Sequence, residues 1–324
     1  MTPEEVGRKE DWIERMRCAR LPNTRAALAE FLEKEEDREL RRKAAHALAI
    51  ACEIDLCDRL WKIFEADPDE VVRSHLVAAF SASDDKKRAG PLAGCLEGAR
   101  DPRYRARLAA ALVNLGGRTW FDRAREVIEG APEGERPRLA VEVFDSLRGN
   151  SCRQELLERL ANLSDRGALV GLIERVWDGK EPYAAGFLEK VAAGGDPCDA
   201  AGFLALGALV ARGAGRFETL AAGLATEDAE LRREVARAVA RIGSKESSKT
   251  LSRHLKSETD PQVSAAAIEA LGRSGEDHVL DLVERHLGDA RPAVAAAASR
   301  ALEKLASSPS NPKARKLAGK KLKR

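Results

Sequence analysis

The stretch TEDAELRREVARAVARIGS, residues 226–244, places its apolar residues along one stripe of an α-helix. Almost the same arrangement returns in DPDEVVRSHLVAAFSAS (67–83) and in DPQVSAAAIEALGRSG (260–275). A pattern that returns at a fixed interval is a repeat, and the repeat decides the fold. Counted from five residues before the first apolar helix position, repeats begin near 3, 35, 67, 99, 131, 163, 196, 226, 258 and 289. Ten repeats of about 32 residues therefore cover nearly all of the 324 residues.

Each repeat reads as two helices. In the first, apolar residues recur at offsets 5, 9, 12, 13 and 16, as with Val72, Leu76, Ala79 and Phe80, with Tyr104, Leu108, Ala111, Leu112 and Leu115, and with Val294, Ala298, Ala301, Leu302 and Leu305. Arg8, Arg15 and Arg175 weaken that stripe in their own repeats. The second helix keeps better time. Residues 28, 60, 92, 124, 156, 188 and 220 are all Leu or Ala, and the residues four later are Leu32, Phe64, Leu96, Ile128, Leu160, Ala192 and Leu224. The register then slips by one to Leu251/Leu255 and Val283/Leu287. Asp-Pro pairs at 67–68, 101–102, 196–197 and 260–261 punctuate the approach to the first helix, where proline forfeits no hydrogen bond. Gly116, Gly149, Gly213, Gly243 and Gly275 follow it, at the place where a helix ends left-handed. One such pair cannot bury its apolar faces alone. The expected fold is an all-α, right-handed α-solenoid over residues 1–308, closed by a basic tail or capping helix over 309–324.

DPDEVVRSHLVAAF, EDRELRRKAAHALA and TEDAELRREVARAVARIG resemble HEAT repeats, in particular the short bacterial type also found in phycobilin lyases. The resemblance implies the solenoid. It is nearly silent on function, because such repeats serve scaffolds, adaptors, lyases and DNA-repair proteins alike.

Composition narrows the class further. Aromatic residues make up 4%, and no Val/Ile/Thr-rich segment reads as a strand. The six cysteines, Cys18, Cys52, Cys57, Cys95, Cys152 and Cys198, form no CxxC pair and mostly fall on apolar faces, which favours a reducing cytoplasm. The N-terminal residues lack a signal-like apolar run, and no segment approaches a membrane span. Abundant Ala, Arg and Gly suit a GC-rich bacterium.

No residue pattern marks a catalytic centre or a cofactor site. Among His46, His75, His254, His278 and His286 no two stand at i, i+3 or i+4, and no His-Glu dipeptide of the iron-hydroxylase kind occurs. In GGRTWFDRAR (116–125), Trp120, Phe121 and Asp122 superficially match the tryptophans and aspartate of HEAT-like DNA glycosylases; packing between repeats is the expected role. Trp12, Trp61 and Trp177 share no offset and read as core. Arg41, Arg73, Arg105 and Arg232 share offset 6 and are expected to pair with turn acids such as Asp67 or Asp228; Ser264 and Ala295 end that ladder.

Second helices are expected to line the concave side, so their exposed offsets report the ligand's charge. Offset 27 reads Glu30, Lys62, Gly94, Glu126, Glu158, Lys190, Gly223, Arg253, Arg285, and offset 23 includes Asp58, Asp122, Lys249 and Asp281. A groove for a long duplex needs one sign throughout. These rows change sign, which suits a protein partner. Only SKESSKTLSRHLKSE (244–258) is locally basic, through Lys245, Lys249, Arg253, His254 and Lys256. The C-terminal stretch NPKARKLAGKKLKR (311–324) adds Lys313, Arg315, Lys316, Lys320, Lys321, Lys323 and Arg324 without an acid. Removing those seven from the net charge of +2 leaves the rest of the chain at −5.

The residues expected to meet a partner are thus Lys249, Arg253, Lys256 and Arg285 together with the seven tail cations. The reading is a non-enzymatic scaffold or adaptor for a protein. A nucleic-acid-binding or DNA-repair protein is the alternative, and a bilin-lyase-like enzyme a third. The tail would supply a secondary contact to an acidic protein, a nucleic acid or an anionic surface.

Overall fold

The computed structural model describes residues 2–19, 23–50, 57–81, 86–177, 181–194, 199–274, 279–307, 312 and 316. All secondary structure among the described residues is helical, and it falls into two compact units, residues 1–172 and 173–324.

In the N-terminal unit the helices follow one another in pairs. These are α1 (Pro3–Cys18) with α2 (Thr24–Lys34), α3 (Arg38–Ile50) with α4 (Cys57–Ala66), α5 (Glu70–Ser81) with α6 (Ala89–Gly98), α7 (Pro102–Gly116) with α8 (Phe121–Glu129), and α9 (Arg136–Ser146) with α10 (Asn150–Leu160). Helix α11 (Arg166–Trp177) spans the boundary of the two units. The C-terminal unit continues with α12 (Ala184–Gly194), α13 (Ala200–Ala211) with α14 (Phe217–Ala222), α15 (Ala229–Ile242) with α16 (Lys245–His254), α17 (Pro261–Ser274) with α18 (Leu280–His286), and α19 (Pro292–Ser307). Odd-numbered helices are the expected first helices and even-numbered ones the second. The capping helix foreseen around Ala314, Leu317, Ala318 and Leu322 lies outside the described residues.

A recurrent aspartate starts the first helices. Asp37, Asp101, Asp165, Asp228 and Asp260 each accept a hydrogen bond from a backbone N–H of the first turn, at 2.7–3.0 Å. Such a cap is worth about 1 kcal/mol. Pro102 and Pro261 then occupy the first helical position, whereas Asp67-Pro68 stands before Asp69, the residue that accepts from the Val71 N–H. The left-handed residue after α7 is Gly117 (φ 71), not Gly116 as the spacing suggested, because the helix runs one residue further. Gly149, Gly213 and Gly243 do take positive φ. Asp196-Pro197 and Gly275 lie outside the described residues.

The stripes face inward as expected. Val72, Leu76, Ala79 and Phe80 are fully buried, as are Val294, Ala298, Ala301, Leu302 and Leu305. Sixteen of the eighteen second-helix clock positions are buried; Ala192 and Leu287 are only half-buried. In α12 the neighbouring Val191 takes the inner place. Each fully buried Leu or Phe contributes roughly 1.5–3 kcal/mol, so the core is distributed over every repeat.

Polar links join the repeats. Arg41 pairs with the fully buried carboxylate of Asp67 and donates to the Leu32 and Glu35 carbonyls, both at 3.0 Å. Arg232 does the same with Glu258, at 2.8 and 3.1 Å, and with the Thr226 and Glu227 carbonyls. Its partner is the next repeat's glutamate rather than Asp228, which is occupied as a cap. Arg136, at offset 5, joins the ladder through Asp165 at 2.8 Å. Arg73 pairs with Glu70 of its own repeat at 3.7 Å and also lies over the Tyr104 ring. Where Ser264 interrupts the ladder, Arg291 reaches back to its Oγ and to the Thr259 carbonyl, both at 3.3 Å.

Contacts between repeats are of two kinds, close approach and long ion pairs. First helices approach through small residues: a methyl at Gly272 would lie 2.6 Å from the Cα and Cβ of Ala301, so α17 and α19 meet almost backbone to backbone. Gly207 on α13 leaves room for Trp177 and faces Ala238 on α15. Long ion pairs span the second-helix layer of the N-terminal unit, Arg59–Glu33 at 2.6 Å, Arg88–Asp58 at 2.7 Å, Arg123–Glu97, and Arg159–Asp122 at 2.6 Å, and they also join first helices, as Arg107–Glu142 does at 2.7 Å. No described helix is long and apolar enough to cross a membrane.

Candidate functional site

The locally basic repeat forms a surface on the second helices of the C-terminal unit. Ser244 caps α16, its side chain accepting from the Ser247 N–H at 3.1 Å. Lys249 and Arg253, four apart, therefore share the outer face of the helix. Lys256 follows in the turn after α16, and Arg285 enters from α18. All four are exposed and line one open depression of 450 Å³, with Asp281 and Leu282 on its far side. None of the four makes an ion pair among the described residues, unlike Arg59, Arg123 and Arg159 on second helices of the N-terminal unit and Arg88 just before α6. Of the tail cations only Lys316 is described, and it is exposed; Lys313, Arg315, Lys320, Lys321, Lys323 and Arg324 lie outside the described residues.

His254 does not belong to this surface. Its Nε2 lies 3.0 Å from Glu258 Oε2, out of line for a hydrogen bond, beside the Arg232–Glu258 pair. Burial holds the imidazole below its ordinary value despite the pull of Glu258. Gly223, counted among the exposed offsets, is buried against Phe203 and Val235.

A second concavity lies on the first helices, apart from the second-helix surface. It is a cleft of 380 Å³ on the first helices α13, α15, α17 and α19. Its floor includes Ala238, Ala265, Ala266 and Ala270, whose short side chains give it depth. Arg237 donates to Glu234 at 2.6 Å, and Arg300 Nε to Glu269 at 2.9 Å. Arg241 lies 4.8 Å over the buried Trp177 ring, while Arg273 makes no ion pair among the described residues.

First helices of the N-terminal unit carry a polar chain that spacing along one helix could not reveal. The rings of His46 and His75, one repeat apart, meet edge-on at 4.9 Å. Arg107 Nη1 sits 3.2 Å from His75 Nδ1 and donates to Ser74 at 3.0 Å, and its Nε donates to Glu142 at 2.7 Å. Burial first, then the charges of Arg107 and His46, push His75 down to about 4. Among the described residues no group of three or more His, Cys, Asp and Glu side chains is placed to hold a metal ion.

The other sequence candidates are structural. Phe121 is buried, Trp120 packs on Gly116, and Asp122 holds Arg159. Trp12 meets Phe31 at 5.2 Å, and Trp61 lies between Phe64 and Phe80 at 5.0 and 5.1 Å. Cys95 and Cys152 are half-buried, but Cys18 is exposed and sits off the apolar face, its Sγ 3.7 Å from Glu14.

The profile of HEAT repeats matches residues 13–81 and 217–322, together just over half of the chain. No curated protein matches. Among solved structures, human deoxyhypusine hydroxylase aligns over 94% of this chain and 99% of its own, at 19% identity and a TM-score of 0.30. Kap121p bound to RanGTP aligns over 99% of this chain and 42% of its own, at 14% identity and a TM-score of 0.43. Kap121p bound to Pho4p aligns over 91% and 38%, at 13% identity and a TM-score of 0.40. This chain thus spans about two fifths of Kap121p.

Proposed function

The chain belongs to the HEAT-repeat family, and from that premise we propose that it is a non-enzymatic scaffold that holds a protein partner. The observation that carries the reading is the convergence of Lys249, Arg253, Lys256 and Arg285 on one depression that holds a single carboxylate, Asp281, among the described residues. Arg59, Arg123 and Arg159 on second helices of the N-terminal unit are each paired with a carboxylate of a neighbouring repeat, whereas these four cations stand together with attraction left for an outside partner. The surrounding rows mix signs, which fixes register with a protein surface and excludes wrong partners by like-charge contact. The tail cations extend the same sign and act as a secondary contact, sensitive to salt.

Affinity capture from the native cytoplasm tests this, comparing the wild-type chain with Lys249→Glu/Arg253→Glu and with a chain ending at residue 308. A specific protein retained by the wild type and lost from the double variant is expected. Recovery of DNA and no protein overturns the scaffold reading. The same cations favour one alternative, nucleic-acid binding, for which gel shifts with duplex and single-stranded DNA are decisive. Binding that survives moderate salt and disappears with Lys249→Glu/Arg253→Glu supports a nucleic-acid surface, whereas binding lost only with residues 309–324 marks the tail as merely adhesive.

A further inference from the structure

We infer that the first-helix cleft of the C-terminal unit is a second binding site, one that takes an acidic protein segment with an aliphatic residue between its carboxylates. It lies on the first-helix layer, whereas Lys249, Arg253, Lys256 and Arg285 lie on the second-helix layer, so the inference does not depend on that surface.

Three observations define the ligand. The first is charge. Five arginines, Arg233, Arg237, Arg241, Arg273 and Arg300, line the cleft against three glutamates, Glu174, Glu234 and Glu269. Glu234 serves both Arg233, at 3.4 Å, and Arg237, and Glu269 serves Arg300. Arg241 is engaged with the Trp177 ring and the Glu174 carbonyl, and Arg273 has no ion pair among the described residues. The guanidinium groups of Arg237 and Arg300 are more than half exposed, with donors left over after their single carboxylate contacts. A guanidinium fork matches a carboxylate in two parallel hydrogen bonds, so these groups select acids by geometry as well as by sign.

The second observation is the floor. Close packing of α17 on α19 sinks Ala265, Ala266 and Ala270 below the arginine rims, leaving an apolar base of alanine methyls. Its volume falls in the range of about 300–1,000 Å³ typical of ligand pockets. Aliphatic side chains fit such a base.

The third observation separates a protein segment from a nucleic acid. Strand-binding grooves stack bases on exposed aromatic rings. Among the described residues no aromatic side chain lines this cleft, and Trp177 beneath Arg241 is buried. Glu234 and Glu269 also stand inside it and repel any anion, which weighs more against an unbroken phosphate chain than against carboxylates spaced apart by an aliphatic residue. The basic C-terminal segment of this same chain has the wrong sign to occupy it.

Fluorescence anisotropy with the full-length protein tests the inference. The probes are a fluorescein-labelled peptide of repeating Glu-Glu-Leu, its Gln-Gln-Leu counterpart and a labelled oligothymidylate. Saturable binding of the Glu-Glu-Leu peptide is expected, at least about tenfold tighter than either comparison probe, in keeping with the 1.4 kcal/mol that separates tenfold steps. Arg273→Glu/Arg300→Glu weakens it by at least tenfold, and Ala266→Phe, which fills the floor without changing charge, does the same. Lys249→Glu/Arg253→Glu leaves it unchanged. Arg273→Gln, a mild change at an exposed position, gives a smaller loss with helix content intact and so separates binding from folding. The inference is overturned if the wild type does not bind the Glu-Glu-Leu peptide, if the oligothymidylate binds more tightly, if cleft variants bind like wild type, or if the second-helix variant abolishes binding.

Discussion

Two glycine-to-alanine substitutions, both inside helices, are expected to act in opposite directions. Gly94 in α6 is exposed, and a methyl there would meet nothing within 4 Å. Gly94→Ala should therefore gain the ordinary helix-interior preference, about 0.5–1 kcal/mol. Gly272 in α17 has the same intrinsic preference to gain. Its methyl, however, would lie 2.6 Å from Ala301 Cα and Cβ and 3.0 Å from the Ala301 carbonyl oxygen. Carbon atoms pack at about 3.5–4.0 Å, so α17 and α19 would have to part by about 1 Å. The obstructing atoms are backbone and Cβ, which no rotamer change can move. Overpacking of this kind costs about 1–3 kcal/mol, exceeding the propensity gain in most of its range. Gly272→Ala should therefore be less stable than wild type, and Gly94→Ala more stable. Repeat arrays lose structure repeat by repeat, so urea unfolding is best read beside amide exchange resolved to α17 and α19. Exchange in both helices should accelerate in Gly272→Ala alone. A Gly272→Ala protein as stable as wild type, with unchanged exchange in α19, would refute the backbone contact and with it the depth of the cleft.

Asp67→Ala strands the Arg41 guanidinium beside a fully buried site and should destabilise by about 3–5 kcal/mol, whereas Glu33→Ala, which breaks the half-exposed Arg59 pair, should change stability by less than about 1 kcal/mol; paired urea titrations check the ranking. The His75 imidazole is held down to about 4, so the unfolded chain binds the proton more readily, and stability present above pH 6.5 falls as pH drops toward 4. His75→Gln should flatten that part of the stability–pH curve, as measured by thermal melts across it. Burial raises the Asp69 carboxyl, but the Arg42 and Arg38 guanidinium groups and the Val71 N–H outweigh it and bring it down to about 2. Its contribution is therefore complete above about pH 4 and lost as pH falls toward 2, and Asp69→Asn should remove that acid-limb slope in the same melts.

Which parts of this molecule were legible in its sequence follows from the range of the forces involved. Helix pairs were legible because burial repeats every 3.6 residues within a helix and again every repeat, so Leu28, Leu60, Leu92, Leu156 and Leu188 announce one inner row. The second-helix surface was legible in part. Lys249 and Arg253 are four apart, but Arg285 joins them only because α18 lies against α16 in the stack. The cleft was not legible, because it depends on how closely α17 approaches α19. That is decided by single small residues such as Gly272 and Ala301, not by hydrophobic pattern. Searching for His pairs at i+4 failed for a related reason. In a stack, the nearest neighbour of an exposed side chain is often one repeat away, as His46 is to His75. The column at offset 11 of the first helices illustrates what such a reading recovers. It holds Glu174, Arg237, Glu269 and Arg300, all of which line the cleft, and His46 and Glu142 in the polar chain of the N-terminal unit. That position lies one residue before the buried pair at offsets 12 and 13, at the rim of the apolar stripe: Ala110 and Gly207 are buried there, whereas the longer polar side chains reach out to their neighbours. Function in this fold is therefore better sought down columns than along helices.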